Sequence, residues 1–243
     1  MNESGEFSEH SEQEREEKYT PVVLMALKGG KDIKADLSIG RVIGQGESSV
    51  VKEGGLKFNK GDRERIYPIA FKAYRSQAEG RKEESDAAIY IRNNAYKAQL
   101  MYYEILRRLG VNVIPTFRVA HDNDNNALGI VMTNLEVMPL DGKSEVVNVD
   151  TTKTDSWGHE ATSLSRKKDR RLAGKAGLGL HRDSWMLQYS TRWKNLGRIL
   201  PKAVVSDVIG VRIDNSNKFR QFLTKNPDLF EQARENNYFI SYL

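Results

Sequence analysis

The sequence predicts an α+β fold, in which an antiparallel sheet with one main helix precedes a smaller, mainly helical part. Three patterns carry this prediction. Apolar and polar residues alternate from Tyr67 to Tyr74, as in a strand that is buried on one face. Apolar side chains recur at helical spacing in residues 87–109 and again in residues 216–236. With 243 residues, of which 39% are hydrophobic, the chain is long enough for a two-lobed domain or two small ones.

Further strands are expected on both sides of the main helix. Apolar residues flank a Gly-rich stretch in residues 37–51, and residues 52–65 are expected to connect this part to the next strand. Gly110 stands where glycine commonly ends a helix. Two more strands are predicted at residues 113–119 and 128–133, with a turn-forming run between them.

The composition excludes several classes of function. The chain has no cysteine, so disulfides, thiolate metal sites and cysteine nucleophiles are excluded. The apolar stretch Val22–Leu27 is far too short to cross a membrane, and it follows an acidic segment, unlike a signal peptide. His10, His121 and His159 lack partners at the spacing of zinc ligands. A soluble, cytoplasmic protein is expected.

The charge is distributed unevenly. Residues 1–18 hold seven Glu against Arg15 and Lys18, so the net charge of +5 leaves about +10 on the remainder. Phe7 is the only large apolar side chain of this segment, which is too little to offset the entropy of ordering. Residues 1–18 are therefore expected to form a disordered acidic tail.

Two neighbouring motifs suggest phosphate binding. Residues 43–51 read IGQGESSVV, so Gly44 and Gly46 fall in a turn between strands, where backbone amides can approach phosphate oxygens. Lys72 follows in an apolar strand, from which its amine can reach the α- and β-phosphates of a nucleotide. Each motif also has a plainer explanation, because many glycine turns are only turns and many such lysines lie at the surface.

Two acidic residues extend the pattern. Glu104 lies on the predicted helix, where it can pair with Lys72 and hold the ammonium in place. Residues 180–183 read LHRD, in which Asp183 can accept the hydroxyl proton of an acceptor. Such a triplet is common by itself, but here the pieces occur in the order that a phosphotransferase of this type requires.

With these motifs in this order, the chain resembles the protein-kinase-like superfamily over slightly more than half of its length. Residues 38–136 resemble the N-terminal lobe, and residues 180–210 resemble the catalytic and metal-binding segments. The resemblance implies a two-lobed kinase-like fold, with an N-lobe at residues 19–136. A reduced, mainly helical C-lobe with the catalytic loop is expected at residues 137–243.

The resemblance also assigns roles. Asp183, Lys72 and Glu104 match the catalytic residues of the family, and Asp207 and Gln188 match the positions that hold Mg²⁺ or Mn²⁺. Asp214 competes with Asp207, which is favoured because an apolar run precedes it and gives it a strand end. Met132 resembles the gatekeeper, and the next residues resemble the hinge. The positions that match ATP-binding residues are Ile43, Gly44, Gly46, Val51, Ala70, Lys72, Met132, Asn134 and Leu135.

The chain departs from the family pattern at three places. Gln188 replaces the usual asparagine, Asp207 is followed by Val-Ile-Gly instead of Phe-Gly, and only about thirty residues follow Gly210. So short an end leaves no room for the segments that dock peptides in conventional protein kinases. The resemblance therefore implies ATP- and Mg²⁺-dependent transfer of a γ-phosphate to an unidentified acceptor, either a protein Ser/Thr or a small molecule.

Two alternatives stay open. A catalytically impaired pseudokinase, acting as a nucleotide- or protein-binding module, is suggested by Gln188 and Val208. Nucleic-acid binding through the basic run Arg166–Arg171 is less favoured, because such runs usually form a solvated helix face. Trp157, Trp185 and Trp193 add little to it, since tryptophan is more often a core residue. No membrane partner is expected.

Overall fold

A computed structural model describes residues 18–25, 31–46, 48–60, 63–78, 85–134, 166–181, 185–190, 200–205, 208 and 211–243. These residues form a mixed fold of antiparallel strands and a few helices. The prediction of a disordered acidic tail at residues 1–18 lies outside this part of the chain, except for Lys18.

Six strands form a closed barrel in the order β1-β2-β3-β4-β6-β5. The barrel closes because β5 pairs with β1, where Val23 lies opposite His121, so its pairing leaves no open sheet edge. The six strands are β1 (Thr20–Met25), β2 (Ile33–Gln45), β3 (Ser49–Lys60), β4 (Arg63–Tyr74), β5 (Phe117–His121) and β6 (Ala127–Thr133).

The prediction that residues 52–65 form a connection is wrong. They lie almost wholly in β3 and β4, whose pairing runs without a register shift from Ser49 opposite Tyr74 to Lys60 opposite Arg63. Two adjacent glycines interrupt the apolar alternation and hide this strand from the sequence pattern. Gly54 is required by packing, because a Cβ there would overlap the carbonyl oxygen of Ser38 on β2.

The predicted main helix is confirmed. After the four-residue helix α1 (Arg75–Ala78), helix α2 runs from Asp86 to Arg108. The side chain of Ser85 caps its N-terminus by accepting from the backbone N–H of Ala88 at 3.3 Å. Gly110 has the positive φ, 74°, that is typical of a glycine after a helix.

Strand β5 begins four residues later than predicted, because the residues before it pair elsewhere. Val113 forms a parallel bridge with Val205, and the backbone N–H of Ile114 donates to the carbonyl oxygen of Val205 at 3.1 Å. This segment thus joins the barrel half of the chain to the second half.

The second half contains strands as well as the expected helices. Strand β7 (Leu178–Leu180) pairs with β10 (Val211–Ile213), and β8 (Trp185–Ser190) pairs with β9 (Leu200–Val205). Its helices are α3 (residues 166–173), α4 (Ser216–Thr224) and α5 (Pro227–Arg234), and short 3-10 helices occur at Gly174–Ala176 and Ile240–Tyr242. The helical spacing in residues 216–236 is therefore confirmed, and two small two-stranded sheets accompany the expected helices. No described helix is long and apolar enough to cross a membrane.

The two faces of the sheet belong to two hydrophobic cores. Phe71 and Val131 point into the barrel, where they pack with the inward residues of the other strands. Ala70 and Met132 point outward into a larger core, which includes α2 and much of the second half. Because successive side chains of a strand alternate between faces, β4 and β6 form a wall between the two cores.

Candidate functional site

The outward face of β3, β4 and β6 brings together four of the nine predicted ATP-binding residues. Lys72 lies opposite Val51 on β3, and Ala70 lies opposite Met132 on β6. Cross-strand partners share one face of the sheet, and so do residues two apart on one strand. Val51, Ala70, Lys72 and Met132 therefore form one surface, which is called the lysine face below. Ile43 packs against the same core from β2.

Lys72 is the buried charged group of this face, whereas Glu53, opposite Ala70 on the same face, is partly exposed and pairs with Arg41. Lys72 is 6% exposed, although lysine is almost never fully buried without a compensating interaction. It takes part in such an interaction here, and its strand neighbours on the face are apolar. A buried ammonium on an apolar sheet face provides a local positive charge at reduced screening.

The glycine turn follows directly from β2. The backbone N–H of Gly46 donates to the carbonyl oxygen of Ser49 at 2.8 Å, which closes the turn. Arg75, at the end of β4, fastens it from the other side, because its Nη2 donates to the carbonyl oxygen of Gly46 at 2.8 Å. The turn is thus held beside the strand that carries Lys72.

Neither Gly44 nor Gly46 is required by packing against the residues that the structure describes. A Cβ on Gly44 would lie 3.6 Å from the nearest atom, on Val51, and one on Gly46 would lie 3.7 Å from the carbonyl oxygen of Ser49. These are ordinary van der Waals contacts. Their φ angles are not in the positive region either, unlike those of Gly110 and Gly177.

The hinge prediction is only partly covered by the structure. Asn134 follows the end of β6, is 4% exposed, and has interactions of its own. Leu135 lies outside the described residues. The backbone of β6 ends beside Thr116, whose N–H donates to the Oγ1 of Thr133 at 3.0 Å.

Glu104 has partners other than the one predicted. Its two carboxylate oxygens accept from Arg107 at 2.8 Å each, and one of them also accepts from Arg108 at 3.0 Å. Burial alone would raise the pKa of Glu104, but the hydrogen bonds from the two arginines lower it below its ordinary value. Arg108 in turn pairs with Asp228 of α5. Glu104 therefore ties α2 to the second half of the chain.

Gln99 and Tyr96 of α2 both contact Tyr74 at the end of β4, and sequence reasoning singled out neither. The Nε2 of Gln99 donates to the Tyr74 hydroxyl at 2.9 Å, while the Tyr96 hydroxyl accepts from the backbone N–H of Tyr74 at 3.0 Å. Five residues separate Gln99 from Glu104, which is about 140° around a helix axis. In the observed helix register, Tyr96 and Gln99 thus contact Tyr74, while Glu104 contacts Arg107 and Arg108. The signal was Tyr96 and Gln99 at a spacing of three.

Two connections join the same pair of small sheets. One runs from β7 to β8 through residues 181–184, and the other runs from β9 to β10 through residues 206–210. The strand ends that flank the two connections are paired with each other. The last residue of β7, Leu180, lies opposite the first residue of β10, Val211, and the first residue of β8, Trp185, lies opposite the last residue of β9, Val205.

The predicted acids belong to these connections. Asp183 is part of the first and Asp207 is part of the second, and both lie outside the described residues. Gln188 lies in β8 opposite Lys202, and its side chain is not among those described. Asp214, the competitor of Asp207, accepts from Arg212 Nε at 2.7 Å and lies just after β10. Among the residues that the structure describes, no group of three or more potential ligands could hold a metal ion.

The basic run contains one buried acid. Lys167, Lys168 and the arginines at 170 and 171 are exposed on α3, as a solvated helix face predicts, but Asp169 is 2% exposed. Its carboxylate accepts from Trp185 Nε1 at 3.2 Å and from the backbone N–H of Asn112 at 3.4 Å. Arg170 lies over the same indole ring, 5.1 Å from its centroid. Asp169 therefore fixes Trp185, two residues after Asp183.

The pKa of Asp169 gives a pH-dependent prediction. Burial raises this pKa, and the bonds from Trp185 and Asn112 offset only part of the effect. The native state then binds this proton more tightly than the unfolded chain. Its contribution to stability is complete below the unfolded pKa of about 3.9 and is lost as pH rises through the higher native pKa.

We therefore expect Asp169→Asn to gain stability relative to the wild type as pH increases over that interval. Urea unfolding of both proteins at a series of pH values from acid to neutral checks this. A difference in the free energy of unfolding that stays constant with pH would contradict it.

Comparisons with known proteins find similarity to solved structures only. No protein-family model matches the chain, and no curated protein matches it in sequence. A chain of the Rio2 kinase–ADP/Mg²⁺–phosphoaspartate complex from Chaetomium thermophilum is similar with a TM-score of 0.46 and 16% sequence identity. The match covers 81% of this chain and 54% of that one, so the present chain spans about half of the length of its match. We base the function proposed below on the geometry of the described residues.

Proposed function

We propose that the chain is an ATP-dependent phosphotransferase of protein-kinase-like architecture, which moves the γ-phosphate of ATP to a hydroxyl acceptor. One observation carries the proposal: Lys72 is buried on a sheet face beside Val51, Ala70 and Met132, next to a glycine turn. An apolar surface for a base, a cation for phosphates and a glycine turn with room for phosphate oxygens are the elements that a nucleoside triphosphate needs.

In this arrangement the lysine face binds the nucleotide. The adenine packs on Val51, Ala70 and Met132, and the hinge backbone at Asn134 and Leu135 supplies its hydrogen bonds. The amine of Lys72 neutralises the α- and β-phosphates. Free space at Gly44 and Gly46 supports the proposal, because glycines that the fold does not require are explained by the close approach of a ligand.

The acceptor side of the reaction lies at the two connections between the small sheets. Asp183 accepts the proton of the attacking hydroxyl, and Asp207 belongs to the neighbouring connection. Two described strand pairs support this assignment, because the strand ends that flank the two connections are paired: Leu180 lies opposite Val211, and Trp185 lies opposite Val205. Trp185, held by Asp169, anchors the chain just after Asp183.

Magnesium fits the donors that this assignment provides. Asp207 supplies carboxylate oxygens and Gln188 supplies an amide carbonyl, and Mg²⁺ prefers such oxygen ligands together with phosphate oxygens. When bound, the ion neutralises charge on the β- and γ-phosphates. We expect Mn²⁺ to substitute for it, since both ions favour oxygen ligands.

A glycine substitution separates ligand binding from folding. Gly44→Ala adds a methyl group that the chain has room for, so we expect the free energy of unfolding to change by less than about 1 kcal/mol. The same methyl would meet the phosphates, and we expect the Kd for ATP to rise about tenfold. Calorimetric titration checks this, with Gly40→Ala as the control on the same strand, where the added Cβ meets only the flexible side chain of Glu53. Equal ATP affinity in all three proteins would count against the glycine turn as a phosphate site.

The test of the proposed activity is transfer of labelled γ-phosphate from ATP, with Mg²⁺ or Mn²⁺, to the protein itself and to a cell lysate. We expect incorporation by the wild type and a loss of about a hundredfold or more in Asp183→Asn, which keeps the size of the side chain but not its basicity. Unchanged incorporation of labelled phosphate by Asp183→Asn would contradict the assignment of Asp183 as the acceptor of the hydroxyl proton.

A second candidate, a pseudokinase that binds nucleotide without turnover, is favoured by a specific observation. Glu104, the acid expected to pair with Lys72, makes its described hydrogen bonds to Arg107 and Arg108, and a glutamine, Gln188, stands at the expected metal position. ATP binding without transfer under any of the conditions above would support this candidate.

A further inference from the structure

A second cavity lies inside the mouth of the barrel. Its volume is about 570 Å³, and it sits at the end where β4 ends and where β1, β3 and β6 begin. Its rim carries Lys18, Lys52 and Arg92, and its described lining contains no Asp or Glu. Its floor consists of inward-facing apolar side chains, namely Val22, Leu37, Val50, Phe71, Ala73 and Leu128.

This cavity is separate from the lysine face. Phe71 and Ala73 line it, whereas Lys72 between them lies on the other side of β4. The sheet itself therefore stands between the two sites. A ligand in the barrel mouth would not occupy the space assigned to ATP.

The walls of the cavity are already in place. Gln77 closes one side, and its own polar atoms are engaged: its Nε2 donates to the carbonyl oxygen of Ala127 at 3.0 Å, and its Oε1 accepts from the Tyr96 hydroxyl at 2.7 Å. The floor residues Val22, Leu37 and Phe71 are each at most 4% exposed. Small barrels usually fill their interior with side chains, so an open mouth with a buried floor is a feature of this chain.

The charge of the rim points to an anion. Lys52 lies opposite Phe71 in the pairing of β3 with β4, so its aliphatic stem lies along the apolar floor and its amine lies at the rim. Lys18 precedes β1 at the same mouth. Arg92 has interactions of its own, and we base the charge argument on the two lysines. Two cations above an apolar floor match a ligand with one anionic group and an apolar body.

We propose that the barrel mouth is a binding site for a small amphipathic anion, a carboxylate or phosphate group carried on an apolar chain or ring. The apolar body packs on Phe71 and its neighbours, and the anionic group pairs with Lys52 and Lys18. Barrel mouths are among the places where small-molecule sites of this size occur.

The first test uses a fluorescent probe of this chemistry, 8-anilinonaphthalene-1-sulfonate, with the full chain. We expect it to bind with a stoichiometry of one, and decanoate or decyl phosphate to displace it. Decanol has the same apolar chain without the charge, and we expect it to displace the probe at least about tenfold less well than decanoate. The relative potency of the carboxylate and the phosphate identifies the preferred head group.

Two variants locate the site. Lys52→Met keeps the aliphatic stem but removes the charge, and we expect about tenfold weaker probe binding. Ala73→Leu fills the floor of the cavity, and we expect the probe signal to be lost. Lys97→Met, an exposed lysine on α2 away from the cavity, is the matched control and should bind as the wild type does. Should Ala73→Leu fail to fold, Lys52→Met still decides the question.

Three results would overturn the proposal. These are equal displacement by decanol and decanoate, unchanged probe binding in Lys52→Met, and displacement of the probe by ATP–Mg²⁺ in competition. The last result would place the probe on the lysine face, on the other side of the sheet.

Discussion

Lys72→Met is expected to reduce γ-phosphate transfer by about a hundredfold or more while leaving the fold intact. Lys72 is buried on the lysine face, and methionine fills a similar volume without the positive charge. The variant removes the group that neutralises and orients the phosphates, so the loss should appear in kcat as well as in KM.

Initial rates of labelled phosphate transfer, measured over a range of ATP concentrations, check this expectation. Lys97→Met is the matched control, since this lysine is exposed on α2 and faces neither site. Thermal unfolding of both variants separates a loss of activity from a loss of structure. Transfer by Lys72→Met at the rate of the control, with both proteins folded, would show that Lys72 has no part in the reaction.

Gly177→Ala is expected to destabilise the protein more than any other single methyl addition considered. Gly177 has a φ of 70°, and its added Cβ would overlap the carbonyl oxygen of Asn215 and lie 3.0 Å from the backbone nitrogen of Phe219. Its own carbonyl oxygen accepts from the N–H groups of Asp214 and Asn215. Because the clash is with backbone, neighbouring side chains cannot relieve it, and we expect a loss of about 3 kcal/mol or more.

Two other glycines provide graded controls. Gly110 shares the positive φ but has nothing within 4 Å of an added Cβ, so Gly110→Ala should cost only about 1 kcal/mol. Gly174 has neither feature, and Gly174→Ala should be close to neutral, within about 0.5 kcal/mol. Urea unfolding of the three variants gives the order directly. A Gly177 variant as stable as the Gly174 variant would contradict the close packing of Gly177 against the start of α4.

The parts of the fold that sequence reasoning predicted are those with strong local signals. Helix α2 has a capping serine, a regular apolar spacing and a terminal glycine, and all three are local. The strand at Tyr67–Tyr74 carries an alternation that is readable without its neighbours. The resemblance to the protein-kinase-like superfamily singled out Val51, Ala70, Lys72 and Met132, and the pairing of β3, β4 and β6 brings them to one surface, while their role in ATP binding stays a prediction.

The features that were missed depend on long-range pairing. Strand β1 closes the barrel by pairing with β5, about a hundred residues later in the chain. The apolar run of β1 is short and shows no periodicity, so the sequence alone does not indicate this pairing. Which α2 side chains contact β4 depends on the rotation of the helix about its axis, and one apolar stripe does not fix this rotation to within a residue. Gln99 contacts Tyr74 of β4, while Glu104 contacts Arg107 and Arg108. The attachment of Ile114 to Val205 likewise needs both halves of the chain.

The central claim, that the lysine face binds the nucleotide, is tested most directly by calorimetric titration of ATP–Mg²⁺ into the wild type and Ala70→Leu. Ala70 lies opposite Met132 in the middle of this face, and leucine would fill the space assigned to adenine. Ala87→Leu, an exposed substitution in the first turn of α2, is the matched control. We predict one site in the wild type and in the control, and an affinity at least about tenfold lower in folded Ala70→Leu. Equal affinity in all three proteins would contradict the claim.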